Sequence, residues 1–314
     1  MDSFKLDLAN GWTLRGISNI PPSSKSPVEY RPLIIGLHGS TYDCRYFDGD
    51  ARHTALIASN AFGVPFVAID RPGSGETTSP LPLLSDSNFP QQTGNWLHNL
   101  IIPALWSEFG VPNGCNCVVL LCHSLGAMGG IVTGAIHAQD DNPSYLLGGI
   151  IASGIGDQLL PEMRENPIRE PNVPPHHVRF PLEAKDALMF RPGTVHEDIL
   201  KHTERLDTPA PFVELESLRD LWVPTWKHGW ARHVEAPVMF GMSEQDCFFV
   251  GTEEHVKVCV EAFGSSSRVD GSLIKGAPHC MELSFWSQGW YARCFGFAME
   301  CSASLGHSLG HGAR

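Results

Sequence analysis

The amino-acid sequence predicts an α/β fold: a mostly parallel central sheet covered by helices on both faces, with one inserted segment lying over its edge. Three observations predict it. Short, wholly apolar, β-branched runs recur along the chain. Helical patterns separate them. Each run ends in Gly, Ser or an acid. Strands that are apolar along their whole length are buried on both faces, which is the condition of a parallel sheet joined by helical crossovers.

The elements follow in order. "RPLIIGLHGS" (31–40) reads as a buried strand running into a loop, and "VPFVAIDRPGSGE" (64–76) repeats the form. "CVVLLCHSLGAMGGIVTGAIHA" (117–138) is an apolar run, a tight polar point, then small and apolar residues at helical spacing. "YLLGGIIASGIGD" (145–157), "APVMFGMSEQD" (236–246) and "SLIKGAPHC" (272–280) are three more strand-like runs. "NWLHNLIIPALWSEFG" and "EEHVKVCVEAF" read as connecting helices. In such sheets a site gathers at the carboxyl ends of the strands.

Residues 157–233 break this alternation, holding 10 of the chain's 24 prolines. Two short helices are expected, near 194–206 and 211–222. The segment reads as a lid on a core made of 1–156 and 234–314. The other reading is a run of core loops.

Composition sets the outer bounds. A formal net charge of −12 argues against nucleic acid and anionic membrane surfaces as partners. No apolar run approaches the ~20 residues that span a bilayer. The opening "MDSFKLDLANGWTLRG" alternates charged and apolar residues, unlike a secretory signal, so a cytoplasmic location is expected. The nine cysteines lie mostly inside apolar runs and read as buried free thiols. Cys115 and Cys117 lack zinc-ligand spacing. No metal site is expected, the pair His176–His177 included.

Two segments look like a serine elbow: "CHSLG" at 122–126 and "GHSLG" at 306–310. An elbow is a strained strand-to-helix turn that lifts a hydroxyl above the sheet. Ser124 has a strand before it and a helix after it. Ser308 follows a helical segment, and only six residues remain beyond it. The imperfect motif, with Cys122 in place of the first glycine, is therefore the functional reading, and the strict one is a coincidence.

"GLHGS", "DRPGSG", "CHSLG", "GMSEQD" and "GAPHC", in this order, resemble the α/β-hydrolase superfamily over nearly the whole chain. The details are similar to intracellular serine hydrolases of fungal secondary-metabolite pathways. The departures are Cys122 and two extra residues in the acid loop. The resemblance implies a chain order of Ser, acid, His. Ser124 is then the nucleophile and His279 its base. The acid is one of Asp246, Glu244 and Asp157, with Asp246 preferred for its position and for the apolar "CFFV" after it. The oxyanion donors are the amides of Leu125 and of Ser40, or Thr41 if the loop is shifted. His38 orders the oxyanion loop or faces substrate, and His123 is structural or substrate-facing. No cofactor is implied; Gly73–Ser74–Gly75 lacks the ending of a phosphate loop.

A serine nucleophile implies acyl transfer on an ester, thioester or lactone. Trp222, Trp226, Phe180, Met189, Phe190 and Phe212 in the lid segment point to an apolar acyl small molecule of polyketide type, with Trp222 and Trp226 as substrate contacts; core packing explains the same residues. Two other readings stay open: non-hydrolytic chemistry on the same scaffold (C–C cleavage, cyclisation or isomerisation) and a ligand receptor.

Overall fold

The computed structural model describes residues 1–83, 88–161, 170 and 173–312. Residues 162–169 and 171–172 of the expected lid lie outside the described residues.

The strands of the main sheet are β1 (Asp2–Asp7), β2 (Thr13–Asn19), β3 (Arg31–Leu37), β4 (Phe66–Ile69), β5 (Cys115–His123), β6 (Leu147–Ser153), then, after a small ribbon of β7 (His177–Val178) and β8 (Ala210–Pro211), β9 (Val238–Gln245) and β10 (Val269–Pro278). Their order across the sheet is β1-β2-β4-β3-β5-β6-β9-β10. The opening alternation of charged and apolar residues folds as β1 and β2, which pair antiparallel to each other and to β4. From β4 to β10 every pairing is parallel.

The apolar runs alternate between two cores, as the period of two in a strand requires. In β5, Val118, Leu120 and Cys122 face one side with Leu33, Ile35 and Leu37 of β3. Cys117, Val119 and Leu121 face the other. The helices are α1 (Leu56–Phe62), α2 (Phe89–Trp96), α3 (Ile102–Leu105), α4 (Gly126–Gln139), α5 (Leu182–Met189), α6 (Glu197–Leu200), α7 (Thr203–Leu206), α8 (Phe212–Ser217), α9 (Val223–Gly229), α10 (Glu253–Glu261) and α11 (Ser287–Gly312). Residues of α2 to α4, α9 and α10 fill the first core, and residues of α1 and α11 the second. π-Turns follow α2 and precede α9. Pro103 and Pro224 stand just beyond these turns, and a proline cannot donate to a regular helical ladder.

Of the two helices expected in 157–233, the first is α6 and α7. The second begins at Phe212 and runs on to Gly229. Helix α11 carries the second serine motif within it. Ser308 is exposed, and its hydroxyl donates to the carbonyl of Ser304, one turn back. That is ordinary helix geometry, without the strained turn of an elbow. All nine cysteines are free and buried.

Candidate active site

Ser124 stands between the end of β5 and the start of α4, at φ 52°. A non-glycine residue holds a left-handed conformation only where its surroundings fix it. The Ser124 N–H donates to the carbonyl of Ser153 on β6 at 2.7 Å. Gly126 lets the turn close, because a Cβ there would overlap the carbonyl oxygens of Leu37 and His38. Cys122 fits the first small position because α4 has a glycine opposite it: a Cβ on Gly130 would run into the Cys122 sulfur.

His279 follows β10, which breaks register with β9 between Ile274 and Pro278, where Gly276 takes φ 72°. Such a bulge re-aims the strand end. His279 Nε2 lies 3.1 Å from Ser124 Oγ, and its Nδ1 lies 2.8 Å from Asp246 Oδ2. Asp246 follows β9 directly and is buried. Its other oxygen accepts from the amides of Phe248 and Phe249 at 2.8 and 3.0 Å. The carboxylate is therefore fixed in place and accepts a hydrogen bond from Nδ1–H, which leaves the Nε2 lone pair facing the serine. The Phe248 ring meets the His279 ring edge-on at 4.8 Å.

The other two acids lie elsewhere. Asp157 pairs with His255 Nε2 at 2.9 Å and with Lys227, and these partners, His255 first, hold its carboxyl down to about 2. Glu244 is exposed and bonds Lys275 and the Gly276 amide. Asp157, His255 and Cys259 present ligand atoms within 4.8 Å of one another. Both ring nitrogens of His255, however, are already engaged, Nε2 by the Asp157 carboxylate and Nδ1 by the Val250 carbonyl at 2.7 Å, a poor start for a metal.

The loop after β3 lies against the serine. A Cβ on Gly39 would stand 2.9 Å from the Ser124 Cβ. Ser40, Thr41 and Leu125 line the same space, and Thr41 sits at φ 57°. The substrate-facing expectation for His38 is corrected. The ring is wholly buried, its Nδ1 donates to the Gly39 carbonyl at 2.7 Å, and its Nε2 accepts from the Arg71 amide at 3.1 Å. Both nitrogens are engaged in the neutral form. Burial, then the nearby Arg71 charge, hold its pKa down to about 3. His38 ties two loops together and has no face toward a ligand.

His123 does reach the cavity wall. Its ring stacks on Tyr46 at 4.8 Å and lies 4.8 Å from the His279 ring. Nδ1 stands 3.2 Å from Ser153 Oγ and 3.6 Å from Glu282. Burial, with His279 beside it, lowers its pKa well below the usual histidine value. Glu282 is fully buried and accepts from Tyr46 Oη at 2.7 Å and Trp290 Nε1 at 2.9 Å; burial raises its pKa.

These groups open on a cavity of about 600 Å³. Leu188, Met189, Phe212, Leu215, Phe248 and Phe249 form much of its wall. Most wall positions beyond the serine come from residues 178–220. Trp222 and Trp226 are not among them. They stack on each other at 5.9 Å, and Trp226 packs on Phe263 in the first core. Leu215 and Leu218 line the cavity and also pack against the first core; Trp222 and Trp226, one and two turns further along the same stripe, lie wholly within that core. Lys185 and Glu214, buried beside the loop after β3, carried no signal in the sequence, since an isolated charge within a mixed helix usually faces solvent; Arg71 stands in the quoted "DRPGSG" segment, where nothing marks its side chain as buried.

A mostly parallel sheet with a serine elbow after β5, an acid after β9 and a histidine after β10 defines a protein of hydrolase architecture. The model described as the alpha/beta hydrolase family matches residues 34–289, and the chain belongs to that family. No curated protein matches it. Among solved structures it is similar to E-2-(acetamidomethylene)succinate hydrolase (TM-score 0.60, 16% identity, 95% of this chain and 98% of that one covered). It is also similar to the thioesterase domain from the curacin biosynthetic pathway (0.58, 14%, 95% and 99%). A third is the enol-lactonase from Burkholderia xenovorans LB400 (0.58, 11%, 94% and 99%). At these identities the likeness is one of fold. Among the described residues, no helix is long and apolar enough to cross a membrane.

Proposed function

We propose that this chain is a serine hydrolase that cleaves an ester, thioester or lactone of a small molecule with an apolar, polyketide-like acyl part. The observation that carries this reading is the hydrogen-bonded row Ser124–His279–Asp246 at the floor of a largely apolar cavity. A serine hydroxyl is a weak nucleophile until an adjacent base takes its proton. His279 Nε2 is placed to do so as Ser124 Oγ attacks the acyl carbon. The Asp246 carboxylate stabilises the imidazolium that forms. The oxyanion falls to the amides of Leu125, at the positive end of α4, and of Ser40. When the tetrahedral centre collapses, His279 returns the proton to the leaving oxygen or sulfur. A water deprotonated by the same ring then releases the acid. Residues 157–233 serve as the lid that shapes the acyl pocket. The thioesterase domain and the enol-lactonase among the similar structures are named for bonds of this class, which supports the reading.

The experiment is a fluorophosphonate label mapped by mass spectrometry, beside a panel of chromogenic esters of rising acyl length. Labelling of Ser124 with turnover that rises with acyl length is the expected result. Labelling without turnover of any ester or thioester redirects the site to non-hydrolytic chemistry, and absence of labelling overturns the serine mechanism.

A further inference from the structure

The loop beside Ser124 is held from the lid side by charged groups that take no part in the acyl-transfer steps. Thr41 sits at φ 57°, where a β-branched residue is strained. Its carbonyl oxygen accepts from two lid groups: Lys185 Nζ at 2.6 Å and the Thr208 amide at 3.1 Å. Lys185 is 3% exposed; it also bonds Asp207 at 2.6 Å and lies 3.9 Å over the Tyr42 ring. On the other side of Ser40, the Gly39 carbonyl accepts from Arg71 Nη2 at 3.2 Å as well as from His38. Arg71 is in turn gripped through both terminal nitrogens by the buried Glu214 of α8. The Gly39 carbonyl and the Ser40 N–H belong to one planar trans peptide, so fixing the oxygen fixes the direction of the hydrogen.

Resting on the serine-hydrolase reading above, we infer that Lys185, through Thr41, and Glu214, through Arg71, are positioning residues for the oxyanion-binding N–H of Ser40. The lid is then part of the catalytic apparatus as well as the wall of the acyl pocket. A seated lid holds the Thr41 carbonyl directly, through Lys185, and the Gly39 carbonyl indirectly, through Glu214 and Arg71. An unseated lid releases Thr41 from its strained turn, and the donor loses its aim. Substrate binding under the lid and oxyanion stabilisation are coupled through these two cations.

The test uses Lys185→Met, which keeps the length of the side chain and leaves Asp207 paired with Arg179 at 3.0 Å. On a short acetate ester, kcat should fall by about 10- to 100-fold while KM stays within about threefold, because an interaction made only in the transition state is weakened. Affinity for a trifluoromethyl ketone, whose adduct carries the oxyanion, should fall by the same factor. Affinity for the carboxylate product should not change. Adding Thr41→Gly to Lys185→Met should recover part of kcat, because glycine takes this φ without strain. Glu214→Gln, read in the same way, should lower kcat and ketone affinity together. Overturning results are a rise in KM with kcat unchanged, unchanged ketone affinity, or a loss that Thr41→Gly does not relieve. The underlying reading has its own control. Wild-type protein labelled at Ser124 and active on the ester, with indifferent Lys185 and Glu214 variants, rejects the lid coupling alone. Wild-type protein neither labelled nor active rejects both.

Discussion

The Nε2 atom of His279 lies 3.1 Å from the hydroxyl oxygen of Ser124, across 155 residues of chain. The Ser308 hydroxyl, in the stricter motif, donates to the carbonyl one turn before it in α11. Ser124→Ala should therefore abolish fluorophosphonate labelling and ester turnover with no change in melting temperature beyond a few degrees. Ser308→Ala should leave both within about twofold, since it removes one exposed hydroxyl from a helix. Mapping the labelled peptide in the two variants decides between the motifs.

Asp246 carries the second prediction. Asp246→Asn keeps an acceptor for the Phe248 and Phe249 amides. It places an amide N–H against His279 Nδ1, which favours the tautomer with its proton on the serine side. Turnover should fall by up to roughly 10⁴-fold with the fold preserved. Asp157→Asn and Glu244→Gln should each cost less than about tenfold. Steady-state rates beside circular dichroism spectra check this, and a normal Asp246→Asn rate would contradict the assignment.

Much of this row was legible because each member ends an apolar strand, and strand ends are where a parallel sheet exposes polar groups. The run "CVVLLCHSLG" shows both the strand and the turn. The limits of legibility have physical causes. Trp222 and Trp226 looked like pocket walls because composition reports that a segment is apolar without saying which way each ring faces. The hold of Lys185 on Thr41 spans 144 residues and depends on a backbone angle, which no local pattern encodes. Glu282 stands three residues after His279 in a buried turn, and its carboxyl becomes intelligible only once Tyr46 and Trp290 are seen to donate to it.

The pocket wall gives the third prediction. Trp226 is 1% exposed and packs on Phe263 behind the sheet. Trp226→Ala should cost about 3–5 kcal/mol of stability and leave the order of preference among acyl lengths unchanged. Phe212 faces the cavity from the start of α8. Phe212→Ala should shift the preferred acyl group to a longer or bulkier one. The change in the kcat/KM ratio should be on the order of tenfold, the worth of a methylene or two in an apolar pocket. A chain-length series run on both variants, with thermal melts, separates wall from core.

Acid should unfold the protein through its buried neutral histidines. His38 has a pKa near 3 in the folded chain, against about 6.5 when unfolded. Above pH 6.5 neither state is charged and the group contributes nothing to the pH dependence. Between about pH 6.5 and 3 the unfolded chain takes up a proton that the native chain refuses. Stability therefore falls as pH falls, by about 1.4 kcal/mol per pH unit for one such group. From pH 7 to pH 5 the loss from His38 is about 2 kcal/mol. His123, also lowered by burial, acts in the same direction. Glu282, whose pKa is raised, acts in the opposite one by taking up a proton in the native state first. The comparison that isolates His38 is with His38→Gln. Glutamine can still accept from the Arg71 amide but never titrates, and every other group stays common to both proteins. The variant should be less stable at pH 7, having lost the bond to the Gly39 carbonyl. Its stability should then decline less steeply, by about 1.4 kcal/mol per pH unit between pH 6 and 4. Urea unfolding at pH 7, 6, 5 and 4 measures both slopes. Parallel curves for the two proteins would mean that His38 titrates normally in the native state, and that its bond to Arg71 does not hold the ring neutral.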